Sequence, residues 1–330
     1  MRLEERAVSA ARGTILAHNV ADNEGRRVLK KGTLLKEENV ERLAQLGHSK
    51  VMVAVLHEDD VLEDEAALAL AAALQTDDLR QTRVTGGRVN LAAKVDGLLK
   101  VDADRLLELN IIPGITLATV PPGTVVGPRQ STAQVATLKI IPYAVPRDDL
   151  ERALAVARPR PGIVELRPLP VGRRAALLLT GESAAHEKVY ADFVPPTRTR
   201  LERLGAALVW IEAVPQEVAA IRQAAKRLAA DADLLIVAGQ TSIMDEDDVT
   251  PRALREAGAE VVVHGAPVEP GNLLSLAYFP NTPVLCAPGC ARGLSYNVVD
   301  IVLPHLLLGD RLERADVAAL GLGGLLVKTS

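Results

Sequence analysis

The chain has 330 residues, of which 48% are hydrophobic, 24% charged and 2% aromatic, and its formal net charge is −4. At roughly 150 residues per domain the length suggests two domains, and the Ala-, Leu- and Val-rich apolar fraction suffices for a sizeable aliphatic core. These figures exclude disorder, collagen and low complexity, leave too few aromatic faces for a single-strand nucleic-acid platform, and give no general attraction to DNA or anionic lipid.

The first residues, Met1-Arg-Leu-Glu-Glu-Arg6, are charged, and no secretory signal is visible. The longest apolar run, Ala66 to Leu74, is far shorter than the roughly 20 residues of a membrane span. Cys286 and Cys290 read as two buried thiols, because the nearest further Cys or His is His305, too distant for a compact zinc set. A reducing, cytoplasmic compartment is expected, with no membrane and no nucleic-acid partner.

In chain order, Arg12–His18 reads as a β-like run and Asp22–Gly25 as a turn. Glu37–Leu46 has helical spacing closed by Gly47, and Lys50–Leu56 reads as a strand. Residues 58–74 read as an Ala-rich helix with an acidic start. Between 80 and 145, short β-branched runs alternate with Gly and Pro, which implies a small, mostly β module, with a helix over Leu98–Leu109. A boundary is expected near Pro146–Pro170. The expected division is therefore a mixed α+β module at 1–150, with 80–145 as a candidate insertion, and an α/β domain at 171–330.

From Arg173 the pattern becomes regular. Continuous apolar runs at Ala175–Leu179 and Leu234–Ala238 have the character of strands buried on both faces. Strands are also expected at Ala206–Glu212, Glu260–His264, Leu273–Tyr278 and Pro283–Ala287. Helices are expected at Arg198–Leu204, Pro215–Ala230, from Thr250-Pro251 to Gly258, and at Ser295–Leu308. This alternation predicts an α/β fold with a mostly parallel sheet and helices on both faces.

Ligands of such sheets bind beyond the carboxyl ends of the strands, and the informative loops lie there. One strand runs into Thr180-Gly181-Glu182. Another runs into Gly239-Gln240-Thr241-Ser242, followed by Asp245-Glu246-Asp247-Asp248 ahead of Thr250. A glycine with two hydroxyls suits an anion, while four carboxylates would repel a phosphate unless Mg²⁺ bridged them. A metal–phosphate site and a solvated acidic turn that caps a helix both satisfy this spacing. Pro270-Gly271-Asn272 and Pro288-Gly289-Cys290-Ala-Arg292 bring further glycines and a cation to the same edge. His18, His186 and His264 are isolated in sequence and read as packed or surface imidazoles.

These loops resemble the molybdopterin-binding family, which includes molybdopterin adenylyltransferases and molybdotransferases. The resemblance rests on Thr180-Gly181-Glu182, the turn Gly239–Ser242, Asp248-Val-Thr-Pro251, Pro270-Gly271-Asn272 and Pro288-Gly289, in that order, across 173–310. Lys31–Gly47 is similar to the segment that precedes this domain in the molybdotransferases. The resemblance implies a phosphorylated pterin substrate, Mg²⁺, and either adenylylation with ATP and AMP or insertion of molybdate. It implies that Asp245 and Asp248 hold Mg²⁺ or orient phosphoryl groups as catalytic residues. Substrate binding would fall to Thr180, Gly181, Glu182, Gly239, Thr241, Ser242, Pro270, Gly271, Asn272, Pro288, Gly289 and Arg292. A homodimer and contacts with other cofactor-assembly proteins are also implied. Two departures stand out: Asn272 occupies a position where the family often has lysine, and Cys290 one where it has asparagine. A non-catalytic carrier or sensor of the finished cofactor is the alternative, as is a related domain for another phosphorylated heterocycle.

Overall fold

The computed structural model describes residues 1–129 and 133–326. The chain divides into two compact units between Pro168 and Leu169.

The N-terminal unit is rich in β structure. Arg2–Ala7, Lys50–Val55 and Ile15–Leu16 form a small antiparallel sheet, and helix Glu37–Gln45 closes its core through Val40 and Leu43. A larger core lies between helices Glu63–Leu74 and Arg147–Ala157 and a four-stranded sheet ordered 115–119, 134–140, 88–93, 79–81. Two sequence expectations are corrected here. Leu98–Leu109 is not one helix: Gly97–Val101 is a strand paired with Val164–Pro168, and the helix is Ala103–Ile111. Asp102 separates them by accepting the Arg105 N–H at 3.1 Å, an N-cap that fixes the start. Residues 60–62 pair as a strand with 144–146, so the Ala-rich helix starts at Glu63 rather than 58.

The C-terminal unit is an α/β domain with one six-stranded sheet. Its strands are β1 (Arg173–Thr180), β2 (Ala206–Val214), β3 (Leu234–Gly239), β4 (Glu260–His264), β5 (Ser275–Tyr278) and β6 (Pro283–Cys286). The order is β2-β1-β3-β6-β5-β4; the first four run parallel, and β5 is antiparallel to both of its neighbours. The helices are α1 (His186–Arg203), α2 (Val218–Asp231), α3 (Val249–Glu256), α4 (Val298–Leu307) and α5 (Arg314–Ala319). Ala176, Leu178, Leu235 and Val237 pack with Ile221, Ala225 and Leu254 of α2 and α3 on one face. The alternate residues Leu177, Leu179, Leu234 and Ile236 are equally buried, so the other face is covered too, and α1 lies against β1 and β2.

The expected short helix at Arg198–Leu204 is the end of an 18-residue helix that passes through Pro195 and Pro196. Each internal proline removes a backbone hydrogen bond at a cost of about 3 kcal/mol. Burial of Val189, Phe193, Val194, Pro196 and Leu201 along one face offsets it. Helix α2 begins at Val218, leaving Pro215 in the preceding turn. Helix α3 begins at Val249, one residue before the expected Thr250, with Asp248 at the N-cap position.

Candidate functional site

Because β5 runs opposite to its neighbours, its first residue and the last residues of β1, β3 and β6 lie at the same sheet edge. Thr180 ends β1 as a buried residue, and Gly239 ends β3 directly beside it. A Cβ at position 239 would sit 2.6 Å from the Thr180 hydroxyl, so the close approach of the two strand ends requires glycine. Gln240 ties the loops together: its Oε1 accepts the Glu182 N–H at 3.1 Å. Gln216, in the turn after β2, donates from Nε2 to the Thr241 hydroxyl oxygen at 2.7 Å. Sequence reasoning missed both glutamines, because their bonds reach loops 58 and 25 residues away.

The loop after β6 is a short 3-10 turn, Gly289–Arg292, that leans on the β3 loop. The Cβ direction of Gly289 meets the Ser242 hydroxyl at 3.6 Å. Arg292 donates to the carbonyls of Gly239 (3.3 Å) and Gln240 (3.1 Å), stacks on Phe193 and lies 3.8 Å from Asp192. Its guanidinium therefore braces two loops and occupies the carbonyls of the Gly239–Ser242 turn. Behind it, the buried Arg200 of α1 makes a two-pronged pair with Asp300 (2.9 and 3.2 Å) and donates to the carbonyls of Ala291 and Ser295. Asn297 caps α4 by accepting the Val299 N–H, and its Nδ2 donates to the Ser295 carbonyl. Arg200, Asp300 and Asn297 form the frame of this loop, and no local motif announced them.

Pro270-Gly271-Asn272 reaches the same edge by another route. Gly271 has φ +132, and a Cβ there would run into the side chain of Val298. The glycine thus serves close packing against the start of α4, where Val298 N–H donates to the Pro270 carbonyl at 3.2 Å. Asn272 is exposed.

The acidic loop is organised by its own carboxylates. Asp248 Oδ2 accepts the N–H groups of Met244 (2.6 Å) and Asp245 (3.2 Å), and Asp245 Oδ1 accepts that of Asp247 (2.8 Å). Arg255, one helix length away, donates to the Glu246 carbonyl and pairs with Asp247 at 3.5 Å. His264, at the end of β4, lies 3.4 Å from the Met244 carbonyl and 2.8 Å from the Ser275 hydroxyl. Each of Asp245 and Asp248 thus commits one oxygen to the loop. Among the described residues no group of three or more His, Cys, Asp or Glu is placed to hold a metal ion. Burial pushes the Cys286 thiol up to about 12, and burial also raises that of the half-buried Cys290, so both are neutral at pH 7.

Residues 176–307 match the family described as "Probable molybdopterin binding domain". This segment belongs to the molybdopterin-binding domain family. Residues 5–55 match a second family, a domain of unknown function (DUF8806). Among curated proteins none matches the sequence. Among solved structures, a molybdenum cofactor biosynthesis protein from Pyrococcus furiosus is 13% identical over 96% of this chain and 65% of its own, with a TM-score of 0.26. The present chain therefore spans just under two thirds of that protein. A molybdopterin biosynthesis moea protein from Pyrococcus horikosii is 14% identical over 93% of this chain and 76% of its own, with a TM-score of 0.32. The molybdopterin biosynthesis enzyme MoaB from Thermus is 17% identical over 42% of this chain and 98% of its own, with a TM-score of 0.32. No helix among the described residues is long and apolar enough to cross a membrane.

Proposed function

We propose that the molybdopterin-binding domain holds molybdopterin, or its adenylylated form, at the carboxyl edge of the sheet and acts in molybdenum cofactor biosynthesis. The observation that carries this reading is the polarity of the Gly239–Ser242 turn. Arg292 occupies the carbonyls of Gly239 and Gln240, and Gln216 donates into the Thr241 oxygen. The hydrogen of the Thr241 hydroxyl is left available to a ligand. The N–H groups of Thr241 and Ser242 have no protein acceptor among the described residues. The turn thus offers two N–H groups and a hydroxyl beside an exposed loop, donors that an anionic phosphate can use. Glu182, Asn272 and Gly289, exposed on the neighbouring loops, would supply the surrounding rim, with buried Thr180, Gly181 and Pro288 beneath it.

Mg²⁺ suits these residues in one way only. Asp245 and Asp248 each retain one carboxylate oxygen outside the loop's own hydrogen bonds, which fits an ion completed by substrate phosphate and water rather than a prebuilt cage. Such an ion would neutralise charge on the phosphoryl groups. Asp245 and Asp248 would hold it, while the Thr241 and Ser242 donors orient the phosphate. Transfer of an adenylyl group from ATP, or of molybdate, is the activity this arrangement favours.

The test separates transferase from carrier. The double variant D245N/D248N keeps acceptors for the loop N–H groups but removes the charge. It is expected to retain molybdopterin binding while losing Mg²⁺-dependent turnover with ATP or molybdate. Binding in the wild type without turnover on either co-substrate would leave a carrier, and absence of binding would overturn the reading.

A further inference from the structure

The N-terminal unit contains a groove of about 860 Å³, within the range of roughly 300–1,000 Å³ usual for small-ligand sites. Its walls are the turn Lys30–Thr33, the hairpin turn Val84–Gly87, the first turn of helix Glu63–Leu74, and residues 139–143. Five cations line it against two carboxylates, in a chain whose overall charge is negative.

Both carboxylates are committed to the wall. Glu63 accepts from Lys139 Nζ at 2.9 Å, and the same ammonium donates to the Gly86 carbonyl at 2.6 Å. Asp64 accepts the Gly87 N–H at 2.6 Å. Gly87 has φ +69, and a Cβ there would lie 2.9 Å from both the Glu63 Cβ and the Ile140 carbonyl, so the hairpin turn is packed in place. This leaves Lys30, Lys31, Arg83 and Arg88, whose side chains have no ion-pair partner among the described residues. Arg88 is held at the hairpin by its bridge with Thr85, and Lys31 by its N–H bond to Asn19.

Unpaired cations facing one concave space repel one another, and a multivalent anion relieves that repulsion while gaining charge-assisted hydrogen bonds. Paired guanidinium groups match phosphoryl oxygens in geometry. The concavity and small volume favour a compact ligand over a polymer surface. We propose that this groove binds a small molecule carrying two or more phosphoryl groups, held by Arg83 and Arg88 of the hairpin and by Lys30 and Lys31 of the turn. The proposal stands apart from the ligand of the C-terminal domain.

The test is calorimetric titration of the full chain with pyrophosphate at constant ionic strength, with ADP and sulfate in parallel. Saturation by pyrophosphate at one per chain is expected, with sulfate much weaker. Tighter binding of ADP would assign the phosphoryl groups to an organic ligand, and equal binding to a free polyphosphate. R83A/R88A is expected to weaken pyrophosphate binding at least about tenfold, with the ligand-free melting temperature unchanged or raised because repulsion is removed. K100A, which removes an exposed cation outside the groove, is expected to change nothing. Equal affinity of the wild type and R83A/R88A, no saturable binding of pyrophosphate, or tighter binding of a short DNA duplex would overturn the proposal.

Discussion

Replacing Arg200 by methionine removes the cation that frames the loop after β6. Arg200 is 4% exposed, its guanidinium meets both oxygens of Asp300, and two further bonds reach the carbonyls of Ala291 and Ser295. Methionine fills most of the volume but leaves a half-buried carboxylate whose remaining protein donor is the Asn297 N–H, and strips two carbonyls of a partner. Breaking a buried pair from one side costs about 3–5 kcal/mol. In a unit of this size each kcal/mol shifts the melting temperature by about 2–4 °C, so a fall of roughly 6–20 °C is expected. The chain has one tryptophan, Trp210 on β2 under the Arg174 guanidinium, so its fluorescence in urea reports on this unit. The double variant R200M/D300L is expected to recover part of the loss, since an apolar pair replaces an unpaired charge. A loss below about 1 kcal/mol for R200M, or no recovery in the double variant, would refute the reasoning.

Three further outcomes follow from the same geometry. Gly271→Ala combines a left-handed φ with a collision against Val298, and is expected to cost roughly 2–5 kcal/mol in urea unfolding. The raised Cys286 thiol keeps its proton in the folded state, whereas the unfolded thiol ionises near its ordinary value. Its contribution to stability is therefore fully present below about pH 8.5 and is lost as pH rises from there toward 12. C286A is expected to flatten the alkaline decline in a pH series of urea midpoints. Asp248→Ala deprives the Met244 and Asp245 N–H groups of their acceptor and is expected to destabilise by about 1–2 kcal/mol, measured by the same unfolding; D248N is expected to lose less.

The strands of the C-terminal sheet were legible in sequence for a physical reason. Ala175–Leu179 and Leu234–Ala238 are buried on both faces, and double-sided burial writes an unbroken apolar run. Helix α1 was less so, because Pro195-Pro196 reads locally as a stop, while the burial that overrides it depends on the sheet beneath. Leu98, Leu99, Leu106 and Leu109 share helical spacing, although Leu98 and Leu99 lie on a strand paired with 164–168 and Leu106 and Leu109 on the helix that follows. At the site, the glycines and hydroxyls stood out because each marks a turn. Their orientation did not. Arg292 read as a ligand cation, yet its guanidinium braces two carbonyls 52 and 53 residues away in sequence, and the Arg200–Asp300 pair spans 100. Contacts at such separations leave no local pattern.

The central claim is that the Gly239–Ser242 turn presents donors to a phosphorylated pterin. Its most direct measurement is calorimetric titration of molybdopterin into the full chain, wild type against T241V. The account predicts one ligand per chain and at least about tenfold weaker binding in T241V, which keeps the side-chain shape and loses the hydroxyl. Equal affinity in the two proteins, or no shift in melting temperature of the wild type at saturating ligand, would contradict it.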